Sequence, residues 1–111
     1  MPHFLCKLVP PRPTFISDMS PEEALVMRRH REYWTPHVEK GVVIAMGPVD
    51  DPSGGYGVAI VEAHSQAALE AMQAGDPAIA SGRGFVYANF PMLGIAVRPS
   101  LPLSPITSVT P

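Results

Sequence analysis

A single cysteine, Cys6, is all the thiol this chain carries, and one thiol cannot close an internal disulfide. Within the apolar stretch "HFLCKLV" such a residue reads as a buried, inert sulfhydryl rather than a nucleophile. Charge is sparse too. Only 16% of residues are charged, the formal net charge is −2, and the one basic knot is "RRHR" at 28–31. That balance removes the electrostatic basis for gripping a phosphate backbone, so no nucleic-acid partner is expected and the arginines read as a solvated helix face. No apolar run reaches membrane-spanning length, so neither a transmembrane helix nor a membrane partner is expected. The start "MPHFLCKLVPPRP" lacks the basic and then apolar order of a secretory signal, which makes the cytoplasm the expected compartment.

Nucleotide and metal fingerprints are missing as well. The loop "GPVDDPSGGYG" is rich in glycine, but it has neither the Walker spacing nor a G-x-G-x-x-G opening a helix, and it leads into a strand. Its Asp50 and Asp51 are ordinary turn residues. None of the four histidines stands four residues from another. His30 and His37 share a helix face but are separated by about 10.5 Å of helical rise, too far to chelate one ion. No metal and no cofactor are expected.

What the chain does have is 46% hydrophobic residues in 111, enough for one soluble globular domain with a modest core. Seven of its fourteen prolines gather at 10–13 and from Pro99 onward, outside the core elements. "HFLCKLV" (3–9) reads as a strand and is followed by a proline-rich loop. Ser20 is an N-cap signal, with Pro21 at the first helical position and Glu22 and Glu23 in the first turn, so a helix opens near residue 21. Pro36 should kink it, yet the apolar phase continues through His37 and Val38 to Gly41, which places the end near residue 40. "VVIAM" (42–46) and "YGVAIVEA" (56–63) are two β-branched strands joined by the glycine-rich loop. A second helix is capped by Ser65 and ends at Gly75, read as a left-handed terminus. "GFVYANFPML" (84–93) is the last strand, with a continuation through "GIAV" left open. Residues 1–98 form the domain, and 99–111 a proline-rich tail without helical or alternating pattern.

The order β-α-β-β-α-β is that of an α+β, ferredoxin-like fold: a four-stranded antiparallel sheet with both helices on one face. Leu5, Val9, "VVIAM" and "YGVAIV" look apolar on both faces. The uncovered face needs a partner, and a second copy across a two-fold axis is the simplest, so a homodimer is expected.

One polar residue is out of place. Turning each residue from Pro21 by about 100° puts Val26, Met27, Tyr33, Trp34 and Val38 in one arc, with His30 near its middle. A ring there needs a hydrogen-bond partner, either a backbone carbonyl or a carboxylate that would make it a usable acid or base. Asp76, before Pro77, reads on its own terms as an N-cap and N1 pair for a short helical turn. Spacing alone does not pair the two.

"MRRHREYW", Gly41, "AMGPV" (45–49), "GDPA" (75–78), "SG" (81–82) and "NFPM" (89–92), in that order, resemble the YciI-like (YCII-related) family over roughly residues 3–98. The resemblance implies a ferredoxin-like fold that dimerises through its sheets, as in muconolactone isomerase-like α+β barrels. It further implies a His–Asp active-site pair, carried onto His30 and Asp76, with Pro48 shaping the rim and Tyr33 and Trp34 against a small-molecule ligand. The family's reactions are mostly unassigned, so the resemblance implies a site and not a substrate. The leading reading of that site is an enzyme without a cofactor that moves a proton in an elimination or isomerisation of a small acid, cyclic and aromatic ones included. The alternative is a non-catalytic ligand-binding or dimerisation module in which the pair only rigidifies the core. Pro36 and the insertion "PPRPTFISDMS" are not required by the family pattern and bear on the mouth of the pocket.

Overall fold

Along β1 (His3–Val9) burial alternates: Phe4, Cys6 and Leu8 are buried, while Leu5 and Lys7 between them are only partly so. This period of two is what a strand with one covered face produces. The computed structural model, which describes residues 1–99, places β1 inside a four-stranded antiparallel sheet of order β2-β3-β1-β4. Its other strands are β2 (Val43–Val49), β3 (Tyr56–Glu62) and β4 (Val86–Pro91). Phe4 lies opposite Val61 on one side and Pro91 on the other. Most of the sequence-read tail, 100–111, lies outside the described residues.

Four helices join the strands: α1 (Phe15–Asp18), α2 (Pro21–Glu39), α3 (Gln66–Ala74) and α4 (Pro77–Ala80). Trp34 of α2 and Leu69 of α3 pack with Phe4, Cys6, Val43 and Val61 in one core, so the two long helices cover the same face of the sheet. The expected α+β ferredoxin-like order therefore holds, with two short helices added. The opposite face carries Leu5 paired with Ile60 and Phe90, and Val9 paired with Val86. Phe90 and Val86 on it are 51% and 57% exposed.

Local chemistry explains most boundaries. Ser20 and Glu23 form a reciprocal capping box at the start of α2. Its end is a Schellman arrangement, with Gly41 at φ +79° donating to Val38 and Val42 donating to His37. Pro36 sits inside the last turn, and the helix runs on to Glu39 because only the proline's own N–H is missing there.

Several expectations are corrected. β2 does not stop at Met46 but continues through Gly47 and Pro48 to Val49. Proline is tolerated there because β2 is an outer strand. The continuation through "GIAV", open from sequence, is not made: β4 ends at Pro91, Met92 donates to the carbonyl of His3, the first residue of β1, and beyond that point no neighbouring strand remains to pair with among the described residues. On α2, Val38 is 39% exposed, whereas Glu23 is buried.

The proline-rich segment is not a plain loop. Its second half holds α1, and Phe15, 2% exposed, meets Phe85 edge-on at 5.2 Å and packs with Leu8, Met27 and Ala78. Arg12 ties the segment to α2 through a two-pronged bond to Glu23, both contacts 2.8 Å, and a third to Asp18 at 2.8 Å. Those bonds from Arg12, with the Ser20 N–H, hold the Glu23 carboxyl down to about 2.

Candidate active site

The site is built where α2 passes the turn between α3 and α4. Ser65 caps α3 by accepting from the N–H of Ala68, and the helix ends at Gly75. Gly75 is not left-handed, as its sequence position implied: its φ is −83°. Glycine fits there for another reason. A Cβ would stand 2.7 Å from the hydroxyl of Tyr33, which donates to the Met72 carbonyl at 2.6 Å. This close approach seats the end of α3 against α2. Asp76 follows as the N-cap of α4, and its Oδ1 accepts from the Ala78 N–H at 2.8 Å with Pro77 at the first helical position.

The other oxygen of Asp76 faces α2 and β4. Its Oδ2 lies 2.8 Å from Nδ1 of His30, across 46 positions of sequence, and accepts from the Trp34 indole at 2.9 Å and the Tyr87 hydroxyl at 2.6 Å. Asp76 is wholly buried, and the His30 side chain keeps 13% of its surface. Burial pushes the Asp76 carboxyl up, but the hydrogen bonds and charge of His30 and the bonds from Trp34 and Tyr87 outweigh it and leave the group below its ordinary value. Asp76 is thus a carboxylate, an acceptor only. Burial and the neighbouring Asp76 push the Tyr87 phenol far up, so it remains a neutral donor.

Those protonation states fix the histidine. An ionised carboxylate has no hydrogen to give, so Nδ1 of a neutral His30 carries the proton and Nε2 keeps its lone pair. Among the described residues no hydrogen bond is made to Nε2. The arrangement can therefore accept a proton at Nε2 and return it, while Asp76 balances the imidazolium charge.

Of the residues singled out from the sequence, His30 and Asp76 meet. Trp34 is 3% exposed and joins the same cluster through its indole N–H. Tyr33 is half-buried, its ring edge-on to Trp34 at 5.2 Å. Pro48 lies exposed on β2, opposite Gly57, on the outer strand at the other edge of the sheet from the Tyr87-bearing β4. It is no part of the hydrogen-bonded cluster. Tyr87 was missed by sequence reasoning. Its only signal was a phenol two residues from Asn89 on a strand, a residue type that needs a polar partner when buried. Asn89 itself exchanges two 2.8 Å bonds with buried Gln73 of α3. Every buried side-chain nitrogen and oxygen among the described residues has a partner.

Cys6 is buried, and that burial pushes its thiol up to about 11, which suits an inert core residue. Among the described residues no three His, Cys, Asp or Glu side chains gather as a metal would need, and no helix is long and apolar enough to cross a membrane.

An antiparallel α+β sheet with a histidine of the first long helix held by a buried aspartate beyond the second defines a small ferredoxin-like domain with a candidate acid–base centre. The chain belongs to the family of the YCII-related domain, whose model matches residues 4–93. Comparison with curated proteins gives no match.

Proposed function

We propose that this protein is a cofactor-independent enzyme in which His30 moves a proton during an elimination or isomerisation of a small organic acid, cyclic and aromatic acids included. The observation that carries the reading is the 2.8 Å bond from the His30 Nδ1 to a wholly buried, ionised Asp76, which leaves Nε2 as the reactive nitrogen. Ligand approaches the exposed edge of His30, with the half-buried ring of Tyr33 as its neighbour one turn along α2, while Trp34 and Pro48 stand away from that edge, the first buried beneath it and the second on the far outer strand. Such general acid–base catalysis contributes roughly 10²–10⁴-fold to a rate. A screen of small carboxylic acids for turnover should find a substrate on which His30→Ala lowers kcat by about that factor with the fold intact. Wild-type turnover by His30→Ala would overturn the reading.

One observation favours the alternative of a binding or dimerisation module: Asp76 also caps α4 and ties Trp34 and Tyr87 to it, which is structural work. A module would bind such acids without turnover, whereas the enzyme's rate should follow the ionisation of a histidine.

The half-exposed face built on Leu5, Ile60, Val86 and Phe90 supports a homodimer joined through the sheets. Light scattering at micromolar concentration should return twice the mass of the chain, and Phe90→Glu should halve it. A monomeric wild type would end this proposal.

A further inference from the structure

We infer that Tyr87 and Trp34 are positioning residues that set how readily His30 takes up a proton, because they compete with it for one oxygen of Asp76. The functional meaning rests on the acid–base reading of His30, but the competition is a property of the folded protein.

Three donors converge on Oδ2: the Tyr87 hydroxyl at 2.6 Å, Nδ1 of His30 at 2.8 Å and Nε1 of Trp34 at 2.9 Å. A carboxylate oxygen offers two lone-pair sites. The Ala78 N–H holds Oδ1 at 2.8 Å, so the carboxylate cannot rotate to give His30 an oxygen of its own without uncapping α4. Each neutral donor on Oδ2 draws off part of the charge that would otherwise reach the imidazole. Protonation turns Nδ1–H into a charge-assisted donor, which gains most from an oxygen whose charge is undivided. Two fixed neutral donors therefore hold the proton affinity of His30 below that of a free His–Asp pair. They come from different elements, Trp34 from α2 and Tyr87 from β4, so the setting depends on how helix and sheet dock.

The other ionisable groups nearby are committed or turned away. Tyr33 on α2 spends its hydroxyl on Met72, and His37 lies against the Trp34 ring at 5.4 Å. Cys6 of β1, next to Tyr87, is a neutral thiol, and Glu23 is held by Arg12. Arg28, Arg29 and Arg31 beside His30 in sequence are exposed. None of these groups hydrogen-bonds His30.

The test needs no substrate. The titration midpoint and tautomer of His30 are followed by ¹⁵N-resolved NMR in the wild type, Tyr87→Phe, Trp34→Phe and Asp76→Asn. Tyr87→Phe should raise the midpoint by about half to one pH unit, and Trp34→Phe should move it the same way, since one bond to a charged group is redistributed. Asp76→Asn, which removes the shared charge, should bring it down. A purely structural Tyr87 would lower the unfolding midpoint and leave the His30 titration where it was. A Tyr87→Phe midpoint that stays within about 0.2 of the wild type, or falls, in a folded protein overturns the inference. If Tyr87→Phe does not fold, 3-fluorotyrosine placed at 87, a stronger donor, must lower the midpoint, and an unmoved midpoint overturns the inference there too. Absence of turnover on every acid tried would count against the enzyme and leave these shifts in place, so the two ideas fail separately.

Discussion

Asp76→Ala is expected to cost about 3–5 kcal/mol of stability, the range seen when one partner of a buried ionic pair is removed. The carboxylate is wholly buried and accepts from the Ala78 N–H, the Trp34 indole and the Tyr87 hydroxyl as well as pairing with His30. Truncation leaves those groups facing a cavity, and each buried polar group left without a partner is itself costly. Asn in its place keeps the volume, but one amide oxygen cannot serve both the α4 cap and the Oδ2 donors, so a smaller loss is expected. Urea unfolding reads both, and a loss under about 1 kcal/mol for Asp76→Ala would show that the cluster is dispensable to the fold.

The same group sets a pH dependence. The Asp76 carboxyl lies below its ordinary value of 3.8 in the folded protein. Its contribution is therefore complete above that ordinary value and disappears as pH falls through the lower, folded one. The gap in stability between the wild type and Asp76→Ala should be full at neutral pH and narrow below about pH 4. A gap that widened on acidification would contradict an ionised Asp76.

Phe15→Ala is expected to cost a further class of stability, about 3–5 kcal/mol, as for large buried aromatics elsewhere. Phe15 is 2% exposed in a segment that sequence reads as loop, and it packs with Phe85, Met27, Leu8 and Ala78. Because Ala78 directly follows Pro77 in α4, Phe15 also presses on the helix that Asp76 caps. Ile16→Ala, on a side chain 43% exposed, should cost less than half as much. Chemical denaturation compares the two, and equal, small losses would make the insertion a strap over the domain rather than part of its core.

The elements legible in the sequence are those whose cause is local. The α2 start is written in Ser20, Pro21 and Glu23, each acting on backbone groups within one turn. The α4 turn is written in Asp76 and Pro77, and the strands in their β-branched runs. Departures occurred where a distant group intervenes. Gly75 answers to the hydroxyl of Tyr33, 42 positions earlier, rather than to a left-handed cap. The run of β2 through Pro48 depends on its outer place in the sheet, and the end of β4 on where β1 begins.

By itself the sequence determined the α+β element order, the inward placement of His30 and the capping place of Asp76, because periodicity and caps act over a few residues. Only the tertiary structure decided that the two meet, that Asp76 is wholly buried, and that Tyr87 and Trp34 share its oxygen. A hydrogen bond across 46 positions depends on how α2, the α3–α4 turn and β4 pack together. That packing, set by the joint burial of all the core side chains, is encoded in no single stretch of the chain.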